Sequence, residues 1–144
     1  MQKLTTQLMF EGRAEEALTL YLSLFDTSEL VSISRHGPGM AGPEGSVIQA
    51  MVRLAGQELR LTDSYVKHGF TFTAATSLFV ECETEAELDR LFGILAQDGQ
   101  IFMPLASYGF SEKFGWVADR FGVSWQLNLT ATVGADQTQE TKDV

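Results

Sequence analysis

The chain has 144 residues, a hydrophobic fraction of 44%, a charged fraction of 20% and a formal net charge of −9 at pH 7. That length supports an ordinary core without a disulfide or a structural metal, and the single cysteine, Cys82, excludes an intrachain bridge. The acidic balance argues against the phosphate backbone of nucleic acid and against an anionic membrane surface as partners.

The first predicted strand covers about Leu4–Phe10, with loose period-two alternation and Gly12 as its boundary. A helix follows over Arg13–Phe25, its apolar stripe made of Ala14, Ala17, Leu18, Tyr21, Leu24 and Phe25. Further strands are predicted over Glu29–His36, Ser46–Leu54 and Gln57–Asp63, the first two joined by the Gly/Pro loop 37–45 and the last two by the Ala55–Gly56 turn. Residues 64–73 link to a second series: a strand at Ala75–Cys82 and a helix opened by the capping box Thr84-x-x-Glu87, with Leu88, Leu91, Phe92 and Leu95 as its stripe. Gly99 is predicted as the left-handed residue that ends this helix. Strands at Ile101–Leu105, Gly115–Arg120 and Val123–Leu129 complete the series, and the polar, aperiodic tail 131–144 reads as disordered. No stretch has the layout of a signal peptide and no apolar run is long enough to span a bilayer, so a cytoplasmic protein is expected.

The two series are one pattern repeated. Laid over Thr76–Leu95 without a gap, Thr6–Phe25 brings Thr6 onto Thr76, Leu8 onto Leu78, Glu11 onto Glu81 and Leu18 onto Leu88. The expected fold is α+β: two βαβββ modules, about 4–63 and 75–130, packed as a single domain with curved mixed sheets around a trough. Period-two alternation puts Leu59 and Leu61, and likewise Val123, Trp125 and Leu127, on an apolar face beneath the helices. The polar alternates then look toward the trough or toward solvent. By register Thr6, Arg60, Thr76 and Gln126 are expected at equivalent levels around a pocket, with Leu8 and Phe10 of the first strand and Tyr108 and Trp116 of an aromatic-rich segment also contacting ligand.

Three segments, LMFEGRAEEALTLYLSLF, LAGQELRLTDS and GWVADRFGVSWQL, resemble the PhnB-like branch of the vicinal oxygen chelate superfamily, whose members often carry the description 3-demethylubiquinone-9 3-methyltransferase. The resemblance covers about residues 4–130 and is sharpest at Asp119–Gln126. It implies the glyoxalase/bleomycin-resistance type of fold and a homodimer. In metal-using members the ligands come from the first and fourth strand of each module, which correspond here to Thr6, Arg60, Thr76 (or Ala75) and Gln126. Of these only Gln126 suits a divalent ion; threonine is a poor ligand and a guanidinium repels. No metal and no cofactor are therefore expected. Transfer from a nucleotide-type cofactor lacks sequence support, because the only Gly-rich stretch joins two strands and carries two prolines.

Arg60 departs from the apolar residue frequent in relatives. It could orient the anionic head of a ligand together with Gln126 and Thr6, or pair with Glu58. Asp63 could act as a general base at a pocket rim, although an Asp-Ser pair just past a strand is read first as a turn cap. His36 and His68 are expected to face solvent, Trp125 to be core, Asp119 to shape the last hairpin and Cys82 to be inert. The reading that follows is a metal-free protein binding a partly apolar, anionic small molecule in the trough. Its alternatives are a superfamily enzyme of unknown substrate and a dimeric interaction module.

Overall fold

A computed structural model of the protein describes residues 1–130; the predicted tail 131–144 lies outside them. The chain divides into two compact units, one over Met1–Phe70 and one that begins at Thr71. Each unit holds one four-stranded sheet and one helix in the order strand, helix, three strands.

In the first unit β1 (Thr6–Phe10), α1 (Ala14–Leu22), β2 (Glu29–Arg35), β3 (Val47–Leu54) and β4 (Gln57–Asp63) follow in sequence, and the sheet order is β1-β4-β3-β2. β1 and β4 run parallel; the other neighbours are antiparallel. α1 stops three residues before Phe25, where Ser23 Oγ turns back to donate to Leu20 O. Two residues suffice to join β3 to β4 because both adopt positive φ, Ala55 at 49° and Gly56 at 86°. Leu59 and Leu61 of β4, Ala50 and Val52 of β3, and Leu8 and Phe10 of β1 are buried beneath Ala14, Ala17, Leu18 and Tyr21 of the helix. Burial of each leucine contributes about 1.5–3 kcal/mol.

The second unit repeats the plan with β5 (Ser77–Cys82), α2 (Glu85–Ala96), β6 (Gln100–Ala106), β7 (Lys113–Ala118) and β8 (Ser124–Leu129), ordered β5-β8-β7-β6 with β5 and β8 parallel. The predicted capping box is present: Thr84 Oγ1 accepts from Glu87 N at 3.1 Å, and Glu87 Oε1 accepts from Glu83 N at 3.0 Å. Trp125, Leu127 and Leu129 pack under Leu88, Leu91 and Leu95. Gly99 has a different reason from the one the sequence suggests. The left-handed residue after α2 is Asp98, with φ 60°, whereas a Cβ on Gly99 would stand 2.1 Å from Ala118 O. Close backbone approach, not helix termination, demands the glycine. At the last hairpin Asp119, 3% exposed, accepts from Phe121 N and Val123 N through Oδ1 and from Trp125 Nε1 through Oδ2, while Gly122 turns the chain at φ 93°.

Candidate functional site

One face of each sheet is covered by its helix, so the alternate side chains form a second, helix-free face. In the second unit, register partners build this face rung by rung. Ser77 lies beside Ser124; Phe79, Gln126 and Trp116 form the next rung; Glu81, Asn128 and Phe114 form the third. The first two rungs share a polar network. Trp116 Nε1 donates to Ser124 Oγ at 2.8 Å, the Ser124 and Ser77 hydroxyls lie 2.6 Å apart, and Gln126 Nε2 donates to Ser77 Oγ at 3.2 Å. Two serines sharing one hydrogen bond leave one O–H uncommitted, and Gln126 Oε1 accepts nothing among the described residues, so the network still offers a donor and an acceptor. Around it stand aromatic rings: Phe102 is 5.0 Å from Trp116, and Phe79, Tyr108 and Phe110 surround Phe114 at 6.4, 6.2 and 5.0 Å. Phe79 is 53% exposed and Phe110 63%. Large exposed rings thus gather on one face beside polar groups that are not fully engaged.

The corresponding face of the first sheet differs in chemistry. Its rungs are Gln7–Arg60–Met51 and Met9–Thr62–Gln49. Arg60 Nε donates to Gln7 Oε1 at 2.9 Å, and Arg60 makes no ion pair among the described residues. Glu58, the acid weighed as its partner, is engaged instead by Lys3 and Arg53, both of which hold its carboxyl below the usual range, the Lys3 hydrogen bond most. Gln49 Oε1 is buried and without a hydrogen-bond partner among the described residues.

A separate pocket of about 470 Å³ opens in the first unit, lined in part by Glu11, His36, Asp63, Ser64, Tyr65 and Lys67. Asp63, the candidate base, has its Oδ1 occupied by the start of α1: it accepts from Gly12 N at 2.7 Å and Ala14 N at 3.3 Å. Arg13, at the N-cap position, supplies no side-chain cap, so a residue distant in sequence does that work. His36 is tied inward, its Nδ1 accepting from Gly42 N at 3.2 Å, and His68 is exposed with Nε2 2.9 Å from Ser64 Oγ.

The structure brings only some of the expected site residues together. Gln126, Trp116 and Tyr108 share the helix-free face of the second sheet, and Arg60 lies on that of the first. Leu8 and Phe10 lie on the other side: both are buried, and the Phe10 ring meets Tyr21 of α1 at 6.4 Å. Thr6 shares their alternation, so Gln7 and Met9 take the positions expected of Thr6 and Leu8. Thr76 precedes β5, and Ser77 fills its place beside Gln126. One misassigned phase on β1 moved all of its alternates to the wrong face. The positions of Gln7 and Ser77, directly beside Arg60 and Ser124, were legible had the strands been phased from Leu59 and Trp125. Cys82 is buried, its thiol pushed up to about 12 by desolvation first and then by Glu87 and Glu81, which removes it as a nucleophile.

Metal-holding relatives need imidazole or carboxylate ligands at these levels. Here Gln7 and Arg60 stand there in the first unit and Ser77, Ser124 and Gln126 in the second, and among the described residues no three of His, Cys, Asp and Glu come close enough to hold an ion. Neither unit's donor set fits a divalent cation. The Gly-rich loop joins antiparallel β2 and β3, which does not fit a cradle between a parallel strand and a helix.

A family model described as 3-demethylubiquinone-9 3-methyltransferase matches residues 2–128. The chain is 62% identical to a solved Bacillus cereus protein described as a 3-demethylubiquinone-9 3-methyltransferase, PhnB; that match covers 90% of this chain and 100% of the other, with a TM-score of 0.86. It is 27% identical over 139 residues to the Escherichia coli (strain K12) protein YjdN, covering 88% of this chain and 94% of that protein. The fosfomycin resistance protein FosX of Listeria monocytogenes, solved with Mn(II), shares the fold alone, at 11% identity over 96% of this chain and 98% of its own, with a TM-score of 0.61.

Proposed function

The chain belongs to the 3-demethylubiquinone-9 3-methyltransferase family, the PhnB-like branch of the vicinal oxygen chelate superfamily, and on that premise we propose that it binds a small, partly apolar molecule without a resident metal ion. One observation carries this reading: the helix-free face of the second sheet, where exposed aromatic rings adjoin an uncommitted hydroxyl and the Gln126 carbonyl. Rings supply apolar contact area at little entropic cost, and the two polar groups fix orientation. Arg60 and Gln7 on the first sheet are suited to an anionic group. The donor set around Gln126 supports a metal-free role, and the methyl transfer named in the family description has no support in the geometry of the Gly-rich loop. A single, inert cysteine suits a cytoplasmic protein, and superfamily kinship suits a homodimer.

A ligand-induced change in tryptophan emission reports on this face, since Trp116 lies on it and Trp125, 2% exposed, is closed to a ligand. Aromatic and alkyl fragments are expected to perturb it saturably, and Phe102→Ala, which removes the ring 5.0 Å from Trp116, is expected to weaken their binding about tenfold. Unchanged affinity in that variant overturns the assignment of the face. For the first sheet, Arg60→Met is expected to weaken anionic fragments selectively, and equal affinity ends that part of the reading.

A further inference from the structure

We propose that Glu81 and the exposed rings around Phe114 seat the positively charged nitrogen of an alkylammonium ligand. This rests on the reading that the helix-free face of the second sheet binds a small molecule, and it names the chemical class of one end of that molecule.

Three adjacent strands contribute one residue each, as direct register partners: Glu81 from β5, Asn128 from β8 and Phe114 from β7. Glu81 Oε1 accepts from Asn128 Nδ2 at 3.0 Å and from Thr130 Oγ1 at 3.0 Å. Both donors fall on one oxygen, so Oε2 keeps its lone pairs free among the described residues. The same contact fixes the amide. Its NH₂ end must face the carboxylate, so its carbonyl end points away, and Asn128 Oδ1 is indeed buried without a donor among the described residues. The free carboxylate oxygen, on exposed Glu81, is therefore the acceptor that a ligand can reach, whereas Asn128 Oδ1 is closed to solvent.

The third member is aromatic. Phe114 itself is buried, 4% exposed; the rings a ligand can reach stand around it, Phe79 at 53% exposure, which shares the Glu81 face of β5, and Phe110 at 63%, with centroids 6.4 and 5.0 Å from Phe114. Ring faces carry the negative end of the aromatic quadrupole and attract a cation that is weakly hydrated. Acceptors beside ring faces complement an alkylated ammonium and disfavour an anion. A bare divalent ion needs more oxygen ligands than one carboxylate and one amide provide. Lys113, the neighbour of Phe114 in sequence, does not compete for the place: it alternates to the opposite side of β7, where it is bound by Glu85 and Asp89 of α2. A net charge of −9 adds a long-range attraction for the same sign of ligand.

The test compares choline with its uncharged isostere neohexyl alcohol on the full chain, following the Asn128 side-chain amide and the Trp116 indole N–H by NMR titration. Choline is expected to bind at least tenfold more tightly than the alcohol. Glu81→Gln is expected to erase that preference while leaving the alcohol's affinity unchanged, and the more conservative Glu81→Asp to restore part of it. Phe79→Leu, at an exposed position, is expected to weaken choline without unfolding the sheet. Equal affinities for the two probes overturn the ammonium assignment and leave the apolar face standing. Shifts from neither probe overturn both.

Discussion

Asp63 and Asp119 both use a carboxylate to satisfy backbone N–H groups, but in settings of different depth. Asp63 is half-buried and accepts from two N–H groups at the start of α1; Asp119 is 3% exposed and serves two backbone donors and an indole. Losing an N-cap costs about 1 kcal/mol, whereas orphaning buried donors costs about 1–3 kcal/mol for the group. Asp63→Ala is therefore expected to lower the unfolding free energy by about 1 kcal/mol, and Asp119→Ala by about 3 kcal/mol or more. Urea denaturation of the two variants checks the order, and a reversed order refutes the assignment of Asp119 as the hub of its hairpin. The turn role of Asp119 was legible from the Asp-Arg-Phe-Gly-Val spacing. The use of Asp63 was not, because its partners lie some fifty residues upstream and no local pattern announces a cap supplied from another strand.

At the scale of elements, periodicity located every strand and both helices, and β4 was placed to the residue. Ends were less legible where a side chain, rather than a propensity, sets them. The helix α1 stops before Phe25, a residue that continues the apolar stripe, because Ser23 caps its last turn. Phase was the costlier uncertainty. Thr6, Leu8 and Phe10 alternate correctly, but a five-residue strand does not say which of its faces the helix covers; only pairing with β4 does. The β3–β4 turn yields a prediction of its own. A two-residue turn of this kind needs positive φ at both positions, and Ala55 adopts 49° against its steric preference. Ala55→Asn, which tolerates that conformation, is expected to raise stability by about 0.5–1 kcal/mol, read as a higher urea midpoint at unchanged slope. A fall in midpoint would show that the turn makes other demands.

At the scale of the molecule, the repeat seen in the sequence is a repeat in topology: both sheets have the same strand order, with the first and last strands of each unit parallel. The two units share that frame while their helix-free faces differ, with Gln7 and Arg60 in one and serines and aromatic rings in the other. Frame and family were legible because they rest on many residues; the ligand was not, because it rests on a handful whose facing depends on strand phase. Zn²⁺, Ni²⁺ or Mn²⁺ at one equivalent is expected to shift the thermal midpoint by less than about 1 °C, since an ion held at many times its Kd would stabilise by about 3 kcal/mol and move the midpoint by several degrees. A clear rise with any of the three refutes the metal-free reading. The parallel closure of each sheet also bears on synthesis. β4 cannot meet β1 until the intervening helix and hairpin have been made, and β8 waits on the same steps after β5. Because every strand of the first sheet precedes every strand of the second, the first half can leave the ribosome complete and settle before its near-replica is whole and able to compete for the same strand partners.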